Sequence, residues 1–267
     1  MSVHTHVDVT HNGGIVNIHF NCTQCANCCH HTKIPLTVAE AIEWLNDGRQ
    51  VQIICEASPW TPPEALKADH LARRSFSAKS GSMPMRVAVT LVANLSGECP
   101  NLLADKRCGI YERRPLVCRV YPAEVNPFTQ LDPAKKACPP EAWGTEHPLL
   151  LRNSRVANRS TEDDIKRWRA QSELDVHVKR KVCAALNLVR AAIDQEGFFV
   201  HSPATDDLLE VLSLLKDETD TGTSQMPWLL VSDRAETLER LTQAGATAAH
   251  PRDVEAGLHE YIGLKRS

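Results

Sequence analysis

The sequence predicts a helix-dominant α+β fold, in which a loop-rich cysteine-cluster domain is followed by helices and a small α/β tail. Nine of the ten cysteines lie between residues 22 and 138, and eight of these nine fall in two groups, at 22–29 and 99–138. After Ser160 apolar residues recur at helical spacing, and after residue 226 short strand and helix patterns alternate. We therefore expect a cysteine-cluster domain at 14–145, a helical region at 160–217 and a small α/β unit at 226–267.

The composition is that of an ordinary globular protein. With 267 residues, of which 42% are hydrophobic, the chain can bury a substantial core. Its formal net charge of -3 gives no electrostatic reason to bind nucleic acid or an anionic membrane. No apolar run approaches the roughly 18 residues that span a bilayer, and Met1 is not followed by a basic and then an apolar segment. We expect a cytoplasmic location, with neither nucleic acid nor membrane as a partner.

Strand alternation and capping signals define the elements before the second group of cysteines. The segment Gly14–Phe20 alternates as a half-buried strand and leads into the first cysteines. Thr37 and Glu40 have the spacing of a capping box, so a helix should begin there and end at Asn46-Asp47-Gly48. Two further strands are expected, at Val51–Cys55 and Met85–Leu95.

The second half of the chain has helical periodicity followed by a mixed pattern. Apolar residues from Ile165 to Ile193 are spaced for one helix face before Gly197, and a helix capped at Thr205 should run through Leu215. A polar linker is expected at Asp217–Gln225. The tail then predicts strand Trp228–Ser232, helix Asp233–Ala244, strand Thr247–Ala249 and a helix from Asp253.

The first cysteine group reads Cys22-Thr-Gln-Cys25-Ala-Asn-Cys28-Cys29. Two consecutive C-x-x-C units share Cys25, and a C-x-x-C turn lets two thiolates converge on one metal ion. The side chains of neighbouring residues diverge in most backbone conformations, so Cys28 and Cys29 are not expected to point at the same ion. This density of cysteines favours metal ligation over disulfides in a reducing cytosol.

A second, more widely spaced group adds four more thiols, which together with the first group we call the cysteine cluster. Its members are Cys22, Cys25, Cys28, Cys29, Cys99, Cys108, Cys118 and Cys138. Eight thiolates exceed the needs of one zinc ion and suit two zinc sites or an iron-sulfur cluster. We therefore predict these eight residues as the metal ligands, and the sequence leaves zinc and iron open.

Two arginines near the cluster are expected to act on it, and the cysteines outside it are expected to pack in the core. Arg114 and Arg119 flank the segment of Cys118 and should offset the negative charge of the thiolates. The two remaining cysteines, Cys55 and Cys183, are expected in the core as small buried residues. No arrangement of a nucleophile and a base is recognisable, so no catalytic residue is predicted.

The cysteine motifs and their context resemble the CxxCxxCC, or YkgJ-like, family of zinc- or iron-chelating proteins. The resemblance rests on the first group and on the stretch Cys108-Gly-Ile-Tyr-Glu-Arg-Arg-Pro-Leu-Val-Cys118-Arg-Val-Tyr-Pro122, and it covers roughly residues 18–140. The family commonly has glycine after the second cysteine, where this chain has Ala26. Flagellin lysine N-methylases share the cysteine motifs, so the resemblance also implies possible methyl transfer from S-adenosylmethionine to protein lysines.

Three functions follow from these observations. The first is metal binding by an iron-sulfur or zinc centre, with a redox or electron-transfer role and a C-terminal half that contacts a protein partner or substrate. The second is an S-adenosylmethionine-dependent protein lysine N-methylase, although the chain has no glycine-rich methyltransferase motif. The third is a structural zinc protein that acts as an interaction module.

Overall fold

The computed structural model describes residues 16–95, 97–218 and 226–265. The helices are α1 (Val38–Asn46), α2 (Ala65–Arg74), α3 (Leu116–Val120), α4 (Arg159–Leu174), α5 (Val176–Ala185), α6 (Thr205–Leu215) and α7 (Ala235–Gln243). The strands are β1 (Ile18–His19), β2 (Lys33–Leu36), β3 (Val51–Ser58), β4 (Ser75–Ser80), β5 (Met83–Asn94), β6 (Leu149–Arg152), β7 (Arg155–Val156), β8 (Arg190–Ile193), β9 (Gly197–His201), β10 (Leu229–Val231), β11 (Ala248–Ala249) and β12 (His259–Gly263). In these ranges, no helix combines the length and the apolar character needed to cross a membrane.

The chain divides into two compact units. Unit 1 contains the described residues up to His30 and those from 97 to Trp168. Unit 2 contains His31–Leu95 and the described residues from Arg169 onward. The units therefore alternate along the chain, whereas the sequence analysis placed consecutive segments at 14–145, 160–217 and 226–267.

Unit 2 is built on a large mixed sheet. Nine strands among the described residues belong to it, and its main path has the order β11-β10-β8-β3-β5-β2. Strand β3 pairs antiparallel with β5 and β9 and parallel with β8, while β4 and β12 extend the sheet on β5 and β9. Fully buried residues such as Ile53, Leu91 and Leu230 line the sheet and form the core. The parallel neighbours β8 and β10 are buried along most of their length, as is usual for parallel strands that are covered on both faces.

The expectation of a helix-dominant fold is therefore wrong, because a strand-rich region with this mixed sheet follows the cysteine segment. The spacing from Ile165 to Ile193 does not describe one helix face. Helix α5 ends at Ala185, Asn187 adopts a left-handed φ of 51°, and β8 begins at Arg190. Asparagine tolerates this conformation and ends helices, so the remaining apolar residues join the sheet.

Other elements agree with the sequence patterns to different degrees. Thr37 and Glu40 form the predicted capping box, in which the Glu40 N–H donates to the Thr37 hydroxyl over 3.2 Å. The predicted strand-helix-strand of the tail is confirmed as β10, α7 and β11. The helix predicted from Asp253 is wrong, since residues 251–253 form a 3₁₀ turn and β12 follows. Most of the predicted linker at Asp217–Gln225 and the start of the first predicted strand lie outside the described residues.

Unit 1 has short elements around two small apolar clusters. Strands β1, β6 and β7 form a three-stranded sheet within the described part of this unit. Val120 of α3 packs with Leu150 and Ile165, and Ile18 packs with Trp143. The sheet and these clusters fix the ends of the loops that carry the cysteines.

Candidate metal centre

The first cysteine group forms a tight loop directly after β1. Ala26 has a left-handed backbone with φ 65°, and its carbonyl accepts the N–H of Cys29 over 2.7 Å, which closes the 3₁₀ turn Asn27–Cys29. A left-handed backbone suits glycine, the residue that the family commonly has here, and costs an L-residue about 1–2 kcal/mol. Ala26 therefore keeps the turn of the motif at a steric cost.

Backbone contacts bring the second cysteine group to the first. The N–H of Cys99 donates to the carbonyl of Cys29 over 2.8 Å, beside an antiparallel bridge between His30 and Glu98. A second bridge, between Leu102 and Cys108, closes the loop that follows Cys99. Cysteines distant in sequence thus become neighbours in unit 1.

Helix α3 carries Cys118 to the same place. Burial raises the pKa of Cys118 to about 12, and the thiols of Cys28, Cys99 and Cys108 raise it as well. A hydrogen bond to Cys28, then burial, then the charges of Cys28, Cys99 and Cys118 raise the pKa of Cys29. These five thiols therefore lie within electrostatic range of one another.

Cys138 connects this group to the remaining cysteines of the first loop. Burial raises the pKa of Cys138 to about 11, and Cys28, Cys25 and Cys22 raise it further. Unit 1 therefore gathers all eight members of the cysteine cluster. Cys22, Cys25 and Cys28 are exposed, and the other members are partly exposed or buried.

One thiol of the cluster ionises near neutral pH. The hydrogen bond from the Cys29 thiol lowers the pKa of Cys28 to about 7, and the charge of Arg114 lowers it too. Metal ligation requires thiolates. The lowered pKa therefore favours the thiolate form of Cys28, which is the form that ligates a metal.

The thiols fit zinc or iron by their chemistry, although they do not yet form a closed site. In the described ranges, no three His, Cys, Asp or Glu side chains are placed to hold one metal ion. Cysteine thiolates select zinc, copper(I) or iron-sulfur clusters over magnesium or calcium. Ligation would require rotation of the cysteine side chains from their hydrogen-bonded orientations, as in the Cys28 and Cys29 pair.

Arg114 takes the role that its sequence position suggests. Its guanidinium group lies 3.7 Å from the centre of the Tyr111 ring, and Nε donates to the Tyr111 carbonyl over 2.8 Å. Its charge acts on Cys28 and Cys118. Arg119 differs, because it forms a 2.7 Å ion pair with Asp164.

Two partners of the cluster have no recognisable sequence signal. The hydroxyl of Tyr121 donates to the Cys138 thiol and accepts the N–H of Ala137 over 2.8 Å. The side-chain amide of Asn27 donates to the carbonyl of Ala137 over 3.0 Å and so connects the first loop to the segment of Cys138. Sequence analysis assigned no role to the Tyr121 hydroxyl, because only the fold brings it to Cys138.

The two cysteines outside the cluster lie in the core of unit 2, as expected. Cys55 on β3 and Cys183 on α5 are fully buried and hydrogen-bonded to each other. Their burial in this core is in keeping with a structural role.

Residues 21–139 match the CxxCxxCC family, described as a putative zinc- or iron-chelating domain. This match confirms the resemblance seen in the cysteine motifs and supports metal binding in general. No curated protein and no solved structure matches the chain.

Proposed function

We propose that the cysteine cluster, which lies in the segment that matches the CxxCxxCC family, holds zinc or iron through its thiolates. The observation that carries this proposal is the gathering of eight thiols from positions as distant as Cys22 and Cys138. A cysteine that only packs is usually buried as a small apolar residue, as Cys55 and Cys183 are. Three exposed thiols beside five others are better explained as ligands.

We propose further that the centre contains more than one metal atom. A tetrahedral zinc ion takes four ligands, which is half of the cluster. Cys118 is influenced by Cys28 and Cys99, whereas Cys138 is influenced by Cys28, Cys25 and Cys22. The two neighbourhoods share Cys28, which favours two adjoining metal positions or the edge of one larger cluster.

The exposure of the first loop favours a redox role. An iron-sulfur cluster, when bound, supplies one-electron transfer. Cys22, Cys25 and Cys28 are exposed, so a group held by them would lie near the protein surface. A protein partner docking at this loop would then exchange electrons over a short distance.

A structural zinc centre is the second candidate, and a different observation supports it. Between Gly97 and Trp143 the longest regular element of unit 1 is α3, with five residues. Segments with so few ladder hydrogen bonds gain much of their stability from metal ligation. In this case the centre would hold the loops of unit 1 in place without changing its oxidation state.

Metal and acid-labile sulfide analysis, with a visible spectrum, tests the proposal on full-length protein purified without oxygen. Iron with sulfide, and a spectrum that changes on reduction without loss of metal, supports the redox centre. Zinc without iron supports the structural centre and overturns the redox role. The absence of both metals would overturn the proposal. Calorimetric titration with S-adenosylmethionine on the same sample tests the methylase alternative that the resemblance implies.

A further inference from the structure

The loop between Cys99 and Cys108 holds the backbone of Asn101 in a fixed place. The N–H of Leu102 donates to the carbonyl of Cys99 over 2.9 Å, and the N–H of Gly109 donates to the carbonyl of Asn101 over 2.7 Å. Asn101 thus lies inside the turn that Cys99 and Leu102 close, and its carbonyl is bound to the residue after Cys108. Asn101 therefore lies in a loop that carries two members of the cysteine cluster, and its side chain is buried.

The side-chain amide of Asn101 is an unpartnered buried donor. The residue is 7% exposed, and its Nδ2 has no hydrogen-bond partner among the described residues. Buried amide groups are nearly always hydrogen-bonded, so each exception calls for a physical reason. The carbonyls of Cys99, Leu103 and Arg107 in this loop already accept backbone N–H groups.

Sulfur is the acceptor in this loop that changes when a metal binds. A neutral thiol is a weak acceptor, whereas a metal-bound thiolate carries negative charge and accepts a stronger, charge-assisted hydrogen bond. Cys99 is 8% exposed, so water does not compete freely at its sulfur. A metal-bound sulfur of this loop would give the buried amide of Asn101 an acceptor that it lacks among the described residues.

On this basis we infer that the Asn101 amide donates an N–H···S hydrogen bond to the metal-bound sulfur of Cys99 or Cys108. Asn101 is then a positioning residue of the centre, which orients the thiolate and withdraws charge from it. This inference rests on the proposed metal centre and assigns it a specific outer partner.

Two variants of full-length, metal-loaded protein test the role of Asn101. Asn101→Leu removes the amide with little change of size, and Asn101→Asp keeps the shape but lacks the N–H donor. Both should release metal to a chromophoric chelator about 10–100-fold faster than the parent protein, and both should shift the sulfur-to-metal charge-transfer band. Asn126→Asp is the matched control, because Asn126 is exposed and the oxygen that accepts the Phe128 N–H is retained.

The outcomes distinguish a hydrogen bond from Asn101 from a packing effect, and they distinguish failure of this inference from failure of the proposed metal centre. Faster release and a shifted band in both variants, with Asn126→Asp unchanged, support the hydrogen bond. Faster release in one variant alone overturns it, because a change of shape or charge then suffices as the explanation. Parent release rates in both variants also overturn it, while leaving the metal centre standing. A parent protein without metal refutes the proposed function itself, and metal analysis detects this before any variant is compared.

Discussion

Buried His201 should make the folded chain lose stability in mild acid. The side chain on β9 is 3% exposed, and its Nε2–H donates to the carbonyl of Arg190 over 3.0 Å. Burial lowers its pKa from 6.5 to about 4, against the hydrogen bond to that carbonyl, and the charges of His259 and Arg190 lower it further. Between these two pH values the unfolded chain binds a proton that the folded chain excludes. The stability that neutral His201 contributes is therefore complete above pH 6.5 and is lost as the pH falls toward 4. The loss in the free energy of unfolding amounts to about 2 kcal/mol at pH 5.

Urea unfolding of the parent protein and of His201→Gln, followed by far-ultraviolet circular dichroism at pH 7.5 and pH 5, measures this contribution. Glutamine cannot be protonated and retains an N–H donor for the Arg190 carbonyl. The other titratable groups are present in both proteins, so their contributions cancel in the comparison. The parent should lose about 2 kcal/mol more than the variant on acidification. Equal losses in the two proteins would refute the assignment of this pH dependence to His201.

The remaining predictions concern the cysteine cluster. Cys118→Ser should lower the amount of metal bound per chain, whereas the control Cys183→Ser, a change in the core of unit 2, should retain it. Metal analysis compares the two variants. Equal metal contents would contradict the assignment of Cys118 as a ligand. Tyr121→Phe removes the hydroxyl that donates to Cys138 and should speed metal transfer to a chelator about 10-fold. An unchanged rate of transfer would count against this contact. Ala26→Gly should raise the free energy of unfolding by about 1 kcal/mol, because glycine relieves the left-handed backbone at φ 65°; a lower urea midpoint would contradict this.

Local signals predicted the elements whose stability is decided locally. The capping box at Thr37 places the start of α1, because its hydrogen bonds involve residues three positions apart. The long alternation of Met85–Leu95 predicts β5, which the structure extends to Met83–Asn94. The cap of α1 is entirely local, whereas β5 has a strong local pattern and is also held by its pairing with β2, β3 and β4.

The missed strands depend on partners that are distant in sequence. Strand β4, Ser-Phe-Ser-Ala-Lys-Ser, has weak alternation and forms by pairing with the whole first half of β5. Strand β12 pairs with β9 from His259 opposite His201 to Gly263 opposite Gly197. Such pairing overrides a weak local preference, and periodicity within one segment cannot reveal it.

The candidate site shows the same division between local and distant information. The cysteine motifs identify the cluster, since C-x-x-C spacing is itself the chemical signal. Neither Tyr121 nor Asn101 has a spacing that identifies it as a partner of the thiols, and their relation to the thiols arises from the folded loops. Ligation by the eight cysteines stays a prediction, because in the described residues their side chains are gathered without yet enclosing a metal position.

The long interval between the two cysteine groups is explained by the pairing at its ends. Residues 31–95 leave and return through antiparallel strands, with Lys33 opposite Asn94, and the N–H of Leu95 donates to the carbonyl of Thr32 over 2.9 Å. Closing an unstructured loop of this length would cost chain entropy that grows with its logarithm. Because β2 and β5 already hold the two ends together, the hydrogen bond between Cys99 and Cys29 adds little to that cost. The wide spacing of the second cysteine group is therefore compatible with a tightly gathered cluster, and the length of the interval alone is no argument against shared ligation.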